Sequence, residues 1–437
     1  MYFKSTRNPD LLVSFSQATH DCIPEDGGVF VPSDISDLRR WVSFIDETTP
    51  FTSVAGALTS ALMSDEYSPI ICETIATKAF PVAPVVRQLE DNLFFMELYH
   101  GFTGYHRDYG VSYLVSYLEY TLQLTGGKTV FLDYTNGSLG AILSRVLKGK
   151  KNIKAVLVYK KGSVLGIDEE SLAWNGGNIY PVEMDLPENE IKDIVRSIFK
   201  DRKFIKQYGV TVANTTNICR LLSQLFFFPY AFAQIKNKVD SDIYFAMDSG
   251  NYGTLMAGLY SWRFALPVSG FLVPSTPALF ADMAGNPQVL DSVVSLEKRG
   301  IVDPTAPANL ERLENFFENN EAMMKHFVKP VEISERQREK AAKELYMNYG
   351  IFADKETAAA YAVVKEERES VFDEDGVVVL MAYNDPALSS DYCRHVLGEV
   401  PEMNESVKKA IKPVELGREY LKSSEEIKDI IRKLYKK

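Results

Sequence analysis

The sequence predicts an α/β fold in which helices cover a parallel sheet on both faces, arranged as two units around a cleft. Three observations predict it. Short apolar runs rich in β-branched or aromatic residues recur along the chain, bounded by Gly, Asn, Asp or Pro. They alternate with longer amphipathic stretches, the pattern of strands joined by crossover helices. Several end in short Gly/Asn/Ser turns that open a helix, where such sheets bind ligands.

Residues 1–90 read as a mostly helical extension with turn-rich connections and the start of the core. Residues 91–210 read as a smaller α/β domain with strands at Thr129–Asp133 and Ala155–Tyr159 and helices at Leu139–Leu147 and Glu188–Phe199. The run Gly209–Ala213 leads into a larger α/β domain over 211–400. Its strands are Ile243–Ala246, Val268–Val273 and Val377–Ala382, and its helices are Asn217–Ala233 and Leu255–Phe264. A charged helical insert covers Leu310–Phe327 and Ile333–Gly350, and helical signals return at 355–370. The Lys/Glu-rich tail, 401–437, reads as helix on the surface with a solvated face.

The chain has 437 residues, enough for two or three domains with sizeable cores, and its 46% hydrophobic and 24% charged content is that of a globular protein. Lys+Arg 48 against Asp+Glu 59 leaves a net charge of −11 with no long basic run, which argues against a nucleic-acid surface. The four cysteines lie far apart and form no CxxC pair, so neither a disulfide framework nor a zinc site is indicated. Its first ten residues are polar, and the most apolar run, Leu221–Ala233, is broken by Gln224 and Pro229 and is short for a membrane span. The expectation is a cytoplasmic protein with no membrane partner.

Two turns have the physics of an anion site. Thr135-Asn136-Gly137-Ser138-Leu139-Gly140 follows the strand at 129–133, and Asp248-Ser249-Gly250-Asn251-Tyr252-Gly253 follows Ile243–Ala246. Glycines let the backbone approach a ligand, and the helix start supplies N–H donors and a positive dipole end. An ordinary strand-to-helix turn has the same composition. A third element, Asn214–Arg220, places amides, hydroxyls and an arginine before a strongly apolar helix. Asn214 or Thr216 would serve as its N-cap, and Arg220 calls for an anionic partner. His20, His100, His106, His326 and His395 are scattered without carboxylates at ligand spacing, so no metal site is expected. His100 and His106 remain open as acid/base groups or as hydrogen-bonded structural residues.

Taken in order, these segments resemble the threonine synthase family, fold-type-II pyridoxal phosphate enzymes with the two-domain architecture of the tryptophan synthase β subunit. Leu98–Asp108 resembles L-F-H-G-P-T-x-x-F-K-D. Ser5-Thr6-Arg7 and Asp26–Pro32 resemble S-T-R and D-G-G-L-F-V-P. Thr135–Gly140 resembles T-S-G-D-T-G, Asn214–Gln224 resembles N-S-I-N-x-x-R-L-L-x-Q, and Ser249–Gly253 resembles T-G-N-F-G. Pro307–Leu313 and Asp354–Ala358 resemble P-S-N-F-E-R-L and D-P-H-T-A. The resemblance implies that Ser249, Gly250, Asn251, Tyr252 and Gly253 hold a cofactor phosphate. It further implies that Asn214, Asn217 and Arg220 place a phosphorylated substrate, and that Asn136, Gly137, Ser138 and Gly140, with His100 and Thr103, face the substrate.

The departures fall where the cofactor chemistry would be. The family lysine, which forms a Schiff base with pyridoxal phosphate, is matched by Arg107. A guanidinium stays protonated and is a very poor nucleophile at neutral pH. Asp and Thr of T-S-G-D-T-G are Ser138 and Leu139. Met381 stands where a threonine meets the pyridine nitrogen, Phe102 replaces a proline, and Glu356 replaces a histidine. Three readings follow. The first is a threonine synthase-like protein that lacks covalent pyridoxal phosphate and binds a small phosphorylated or carboxylated metabolite, as monomer or homodimer. The second is an active threonine synthase that uses another lysine, such as Lys128 or Lys78. The third is a non-catalytic partner subunit of a metabolic enzyme.

Overall fold

The computed structural model describes residues 1–290, 294–318, 320–368, 371 and 376–436. Two sheets carry the fold. The smaller one has four parallel strands in the order Ile179–Met184, Ile153–Lys160, Thr129–Tyr134, Val210–Thr211. The larger has six, in the order Val328–Val331, Gly270–Pro274, Ile243–Ala246, Val377–Ala382, Leu93–Glu97, Val85–Glu90. The first five are parallel, and Val85–Glu90 pairs antiparallel at the edge.

The continuous apolar runs reflect burial on both faces. In Val377–Ala382, residues 377, 379 and 381 enter the main core, while 378, 380 and 382 enter a second core beneath the helices Glu335–Tyr349 and Lys355–Glu366. The smaller sheet divides likewise. Phe131 and Tyr159 point into the main core, whereas Val130, Leu132, Val156 and Val158 join a third cluster.

Several expectations need correction. The first 35 residues are not mainly helical: Tyr2–Ser5, Val13–Ser14 and Phe30–Pro32 form a three-stranded antiparallel sheet. The boundary drawn at residue 91 cuts the larger sheet, because Leu93–Glu97 pairs with Val377–Ala382. Strand pairing between distant segments, not local composition, decides that membership. Asn217–Ala233 is three pieces, Ile218–Leu222, a 3-10 stretch Ser223–Phe226 and Phe227–Ile235. Together Ile218–Ile235 is 18 residues, long and apolar enough to cross a membrane by length and composition, yet 83% of it is buried inside the protein as core helix. The tail is not merely solvated: Ser424–Lys436 buries Ile427, Ile430, Ile431 and Leu434 against the smaller sheet. Residues 369–370 of the expected helix at 355–370 lie outside the described residues.

Three strands end in turns that open helices. Leu93–Glu97 leads through the turn at 98–106 into the helix Arg107–Thr125, Thr129–Tyr134 leads into Ser138–Val146, and Ile243–Ala246 leads into Gly253–Arg263. Each turn sits at the carboxyl end of its strand, as the rule for open α/β sheets requires.

Candidate functional site

Arg107 is the first residue of its helix and is exposed. Its Nη1 donates to Ser138 Oγ at 3.1 Å, joining the Leu98–Asp108 segment to the first glycine turn. Crowding by surrounding protein atoms lowers its pKa although its side chain reaches solvent. Behind it lies Arg220, only 4% exposed, whose Nη1 is buried with no hydrogen-bond partner among the described residues. Burial, reinforced by the charge of Arg107, pushes Arg220 down to about 9, so it remains a cation at neutral pH. Gly110 makes room for it: a Cβ there would fall 2.1 Å from Arg220 Nη1. His106 is held well below the usual imidazole range by burial and by both arginines, so it is neutral, and its buried Nδ1 has no partner. Arg107, Arg220 and His106 thus bring positive charge and two buried polar atoms without partners among the described residues close together, an arrangement suited to an anion.

Other expected substrate contacts are consumed by the fold. Asn217 is the N-cap of Ile218–Leu222, accepting from Cys219 N at 3.0 Å, and it donates to Thr19 O and Thr211 Oγ1. Asn214 donates to Asp133 Oδ1 at 3.0 Å and to Pro304 O at 2.7 Å, and accepts from Thr216 N. Thr103 is buried and bound through its amide and hydroxyl to Asp108, whose carboxyl is pushed up to about 6 by burial. His100 bonds Glu97 at 2.5 Å, and Glu97 also pairs with Arg87. In the first turn, Asn136 is exposed, Gly137 has φ 131°, and a Cβ on Gly140 would meet the Tyr159 hydroxyl at 2.1 Å. Met381, 1% exposed, places a thioether in the main core.

The second turn is closed on itself. Gly250 N–H donates to Asp248 Oδ2 at 2.8 Å, Tyr252 N–H to Ser249 O at 2.8 Å, and Gly253 N–H to Asn251 Oδ1 at 3.1 Å. Asn251 Nδ2 donates to Thr215, Ser249 to the Pro274 carbonyl, and the Tyr252 hydroxyl meets Thr276. Burial and the neighbouring Glu356 raise Asp248 to about 6 and Asp354 to about 7. Sequence reading placed Asp248 in the turn without giving it a role. An Asp two residues before a Gly amide is the available signal for this local hydrogen bond.

Arg312, inside the Pro307–Leu313 motif, is among the largest fully buried side chains. It donates to the carbonyls of Phe30, Thr215 and Thr216 and to Asn309 Oδ1 at 2.5–3.0 Å. The Ser-Thr-Arg motif is tied to the same helix, since Arg7 pairs with Glu311 at 2.9 Å.

Residues 73–382 match the model of a family described as pyridoxal-phosphate dependent enzyme. Threonine synthase of Haemophilus influenzae is 27% identical over 403 residues, covering 91% of this chain and 92% of that protein. The crystal structure of threonine synthase from Escherichia coli superposes with a TM-score of 0.79 at 21% identity, covering 99% of this chain and all of that one. Pyridoxal-phosphate-bound threonine synthase from Brucella melitensis gives 0.80 at 16% identity, with both chains fully covered. The whole fold is shared.

Pyridoxal phosphate is therefore the expected cofactor, and the residues present do not fit it. Arg107 cannot replace a Schiff-base lysine. Lys128 Nζ is bound to the Tyr435 carbonyl, and Lys128 precedes Thr129–Tyr134, at the end of the strand away from the turn. Lys78 is exposed near the end of the helix Pro69–Ala79. Three amides of the second turn already have acceptors, one of them a carboxylate.

Proposed function

This chain belongs to the pyridoxal-phosphate dependent enzyme family, and we propose that it is a threonine synthase-like protein that works without covalent pyridoxal phosphate. On this reading its cleft binds a small phosphorylated or carboxylated molecule noncovalently. The observation that carries the reading is Arg220: a buried cation with an unpartnered Nη1, beside Arg107 at the position of the family lysine. Leaving such a donor empty is costly, and an anionic ligand oxygen would satisfy it. Arg107 and Ser138, already in contact, form the rim that such a ligand would meet. The alternative of a substitute lysine is disfavoured by the positions of Lys128 and Lys78.

Purified protein mixed with pyridoxal phosphate, reduced with borohydride and mapped by peptide analysis should yield no lysine adduct in the cleft. Titration with inorganic phosphate and with O-phosphohomoserine should show saturable binding that Arg220→Met abolishes. A cleft lysine adduct, or threonine formed from O-phosphohomoserine at an ordinary enzyme rate, would sink the proposal.

A further inference from the structure

We infer that Asp248 takes the place of a cofactor phosphate in the second glycine turn, so that the chain is closed to the phosphate end of pyridoxal phosphate as well as to its covalent end. The geometry is local. Asp248 Oδ2 accepts from Gly250 N–H at 2.8 Å, the bond that a phosphate oxygen in this turn would need. Tyr252 and Gly253 donate their amides to Ser249 and Asn251 within the turn. Asn251 is itself fixed, its side chain by Thr215 and its carbonyl by Asn309 Nδ2 at 2.9 Å. A phosphate would have to displace a carboxylate and reopen this network.

Charge points the same way. Glu356, where the resembling family has histidine, acts on both Asp248 and Asp354 and raises both carboxyls; Arg338 is the cation that opposes it at Asp248. Bringing a phosphate dianion to this turn would set it against the carboxylate of Asp248, with the charge of Glu356 adding to the repulsion. The inference is independent of Arg107 and Arg220, and an anion bound to those arginines would be unaffected by its failure.

Pyridoxine 5′-phosphate carries the ring and the phosphate without the aldehyde, so surface lysines cannot capture it. Full-length wild type, Asp248→Asn and Glu356→Gln would be titrated calorimetrically with it and with unphosphorylated pyridoxine. The expected result is tighter binding of the phosphate by both variants, by at least about tenfold for Asp248→Asn, with pyridoxine unchanged. Equal affinity of wild type and Asp248→Asn would overturn the inference. Glu356 makes none of the turn's hydrogen bonds, so Glu356→Gln decides if Asp248→Asn does not fold, and equal affinity there overturns it too. Repeating the pair in an Arg220→Met background locates the phosphate: a gain that persists supports the glycine turn, and one that vanishes with Arg220 overturns it.

Discussion

Arg312 and Arg220 are 1% and 4% exposed, with no carboxylate bonded to either guanidinium among the described residues, but their donors meet opposite fates. Arg312 joins the N-terminal sheet at Phe30 to the turn at 215–216 and to Asn309, through four hydrogen bonds. Arg220 has a buried Nη1 with nothing to bind, against a glycine that leaves it space. Both pay desolvation, which lowers Arg312 to about 10 and Arg220 to about 9. A cation matched by carbonyls holds a fold together, whereas an unmatched one is useful only when something arrives. On the proposed reading, the difference separates a region kept for architecture from a region kept for binding.

The largest expected effect breaks the comparison on the architectural side. Arg312→Met should orphan the carbonyls of Phe30, Thr215 and Thr216 and destabilise the protein by about 3–5 kcal/mol. Denaturant unfolding measures this directly. A loss below about 1 kcal/mol would mean that the four bonds are not the clamp they resemble.

A second test concerns Asp133, fully buried and accepting from Ala213 N and Asn214 Nδ2 in the same region. Burial raises its pKa from the ordinary carboxyl value to about 7. Its favourable contribution is complete below about pH 4, the unfolded value, and is lost as pH rises through about 7. The stability of Asp133→Asn relative to wild type should therefore improve across that window, by on the order of 4 kcal/mol. A difference independent of pH would show that Asp133 stays ionised when folded.

On the binding side, Arg220→Met should weaken inorganic phosphate binding by at least about tenfold while leaving stability unchanged or raised by about 1 kcal/mol. Destabilisation comparable to that of Arg312→Met would erase the distinction between the two arginines.

Much of this was legible in the sequence for a physical reason. Strands such as Ile243–Ala246 and Val377–Ala382 are buried on both faces, so their apolar runs are continuous and their bounds matched. Val328–Val331 contains Pro330 and did not announce itself, whereas Leu93–Glu97, with Phe94 and Phe95, meets the aromatic criterion and was passed over. The helix Arg107–Thr125 buries residues on most sides and contains Gly110, which blurs its period. Among site residues, Arg107 and Arg220 were named by motif and lie close enough for the charge of one to lower the pKa of the other. Asn214 and Asn217 share those motifs, yet their bonds run to Asp133, Pro304, Thr19 and Thr211. Composition at a turn cannot say whether an amide faces a ligand or the protein's own backbone, because both need the same donors.

The smallest expected effect is the most discriminating for function. Arg107→Lys restores the nucleophile at the family position, and if that single change had silenced an otherwise ready site, threonine production should return. The rest of the cleft argues that it will not. Leu139 and Ser138 leave the first turn without the family's threonine and aspartate, Met381 offers a thioether in the core, and Asp248 occupies Gly250 N–H. The lysine would also have to lose its proton beside Arg220, which favours the neutral amine, so failure could not be blamed on a charged nucleophile. Arg107→Lys should therefore leave a threonine auxotroph uncomplemented. Near-normal growth would mean that the binding region retains its ancestral chemistry but for one side chain.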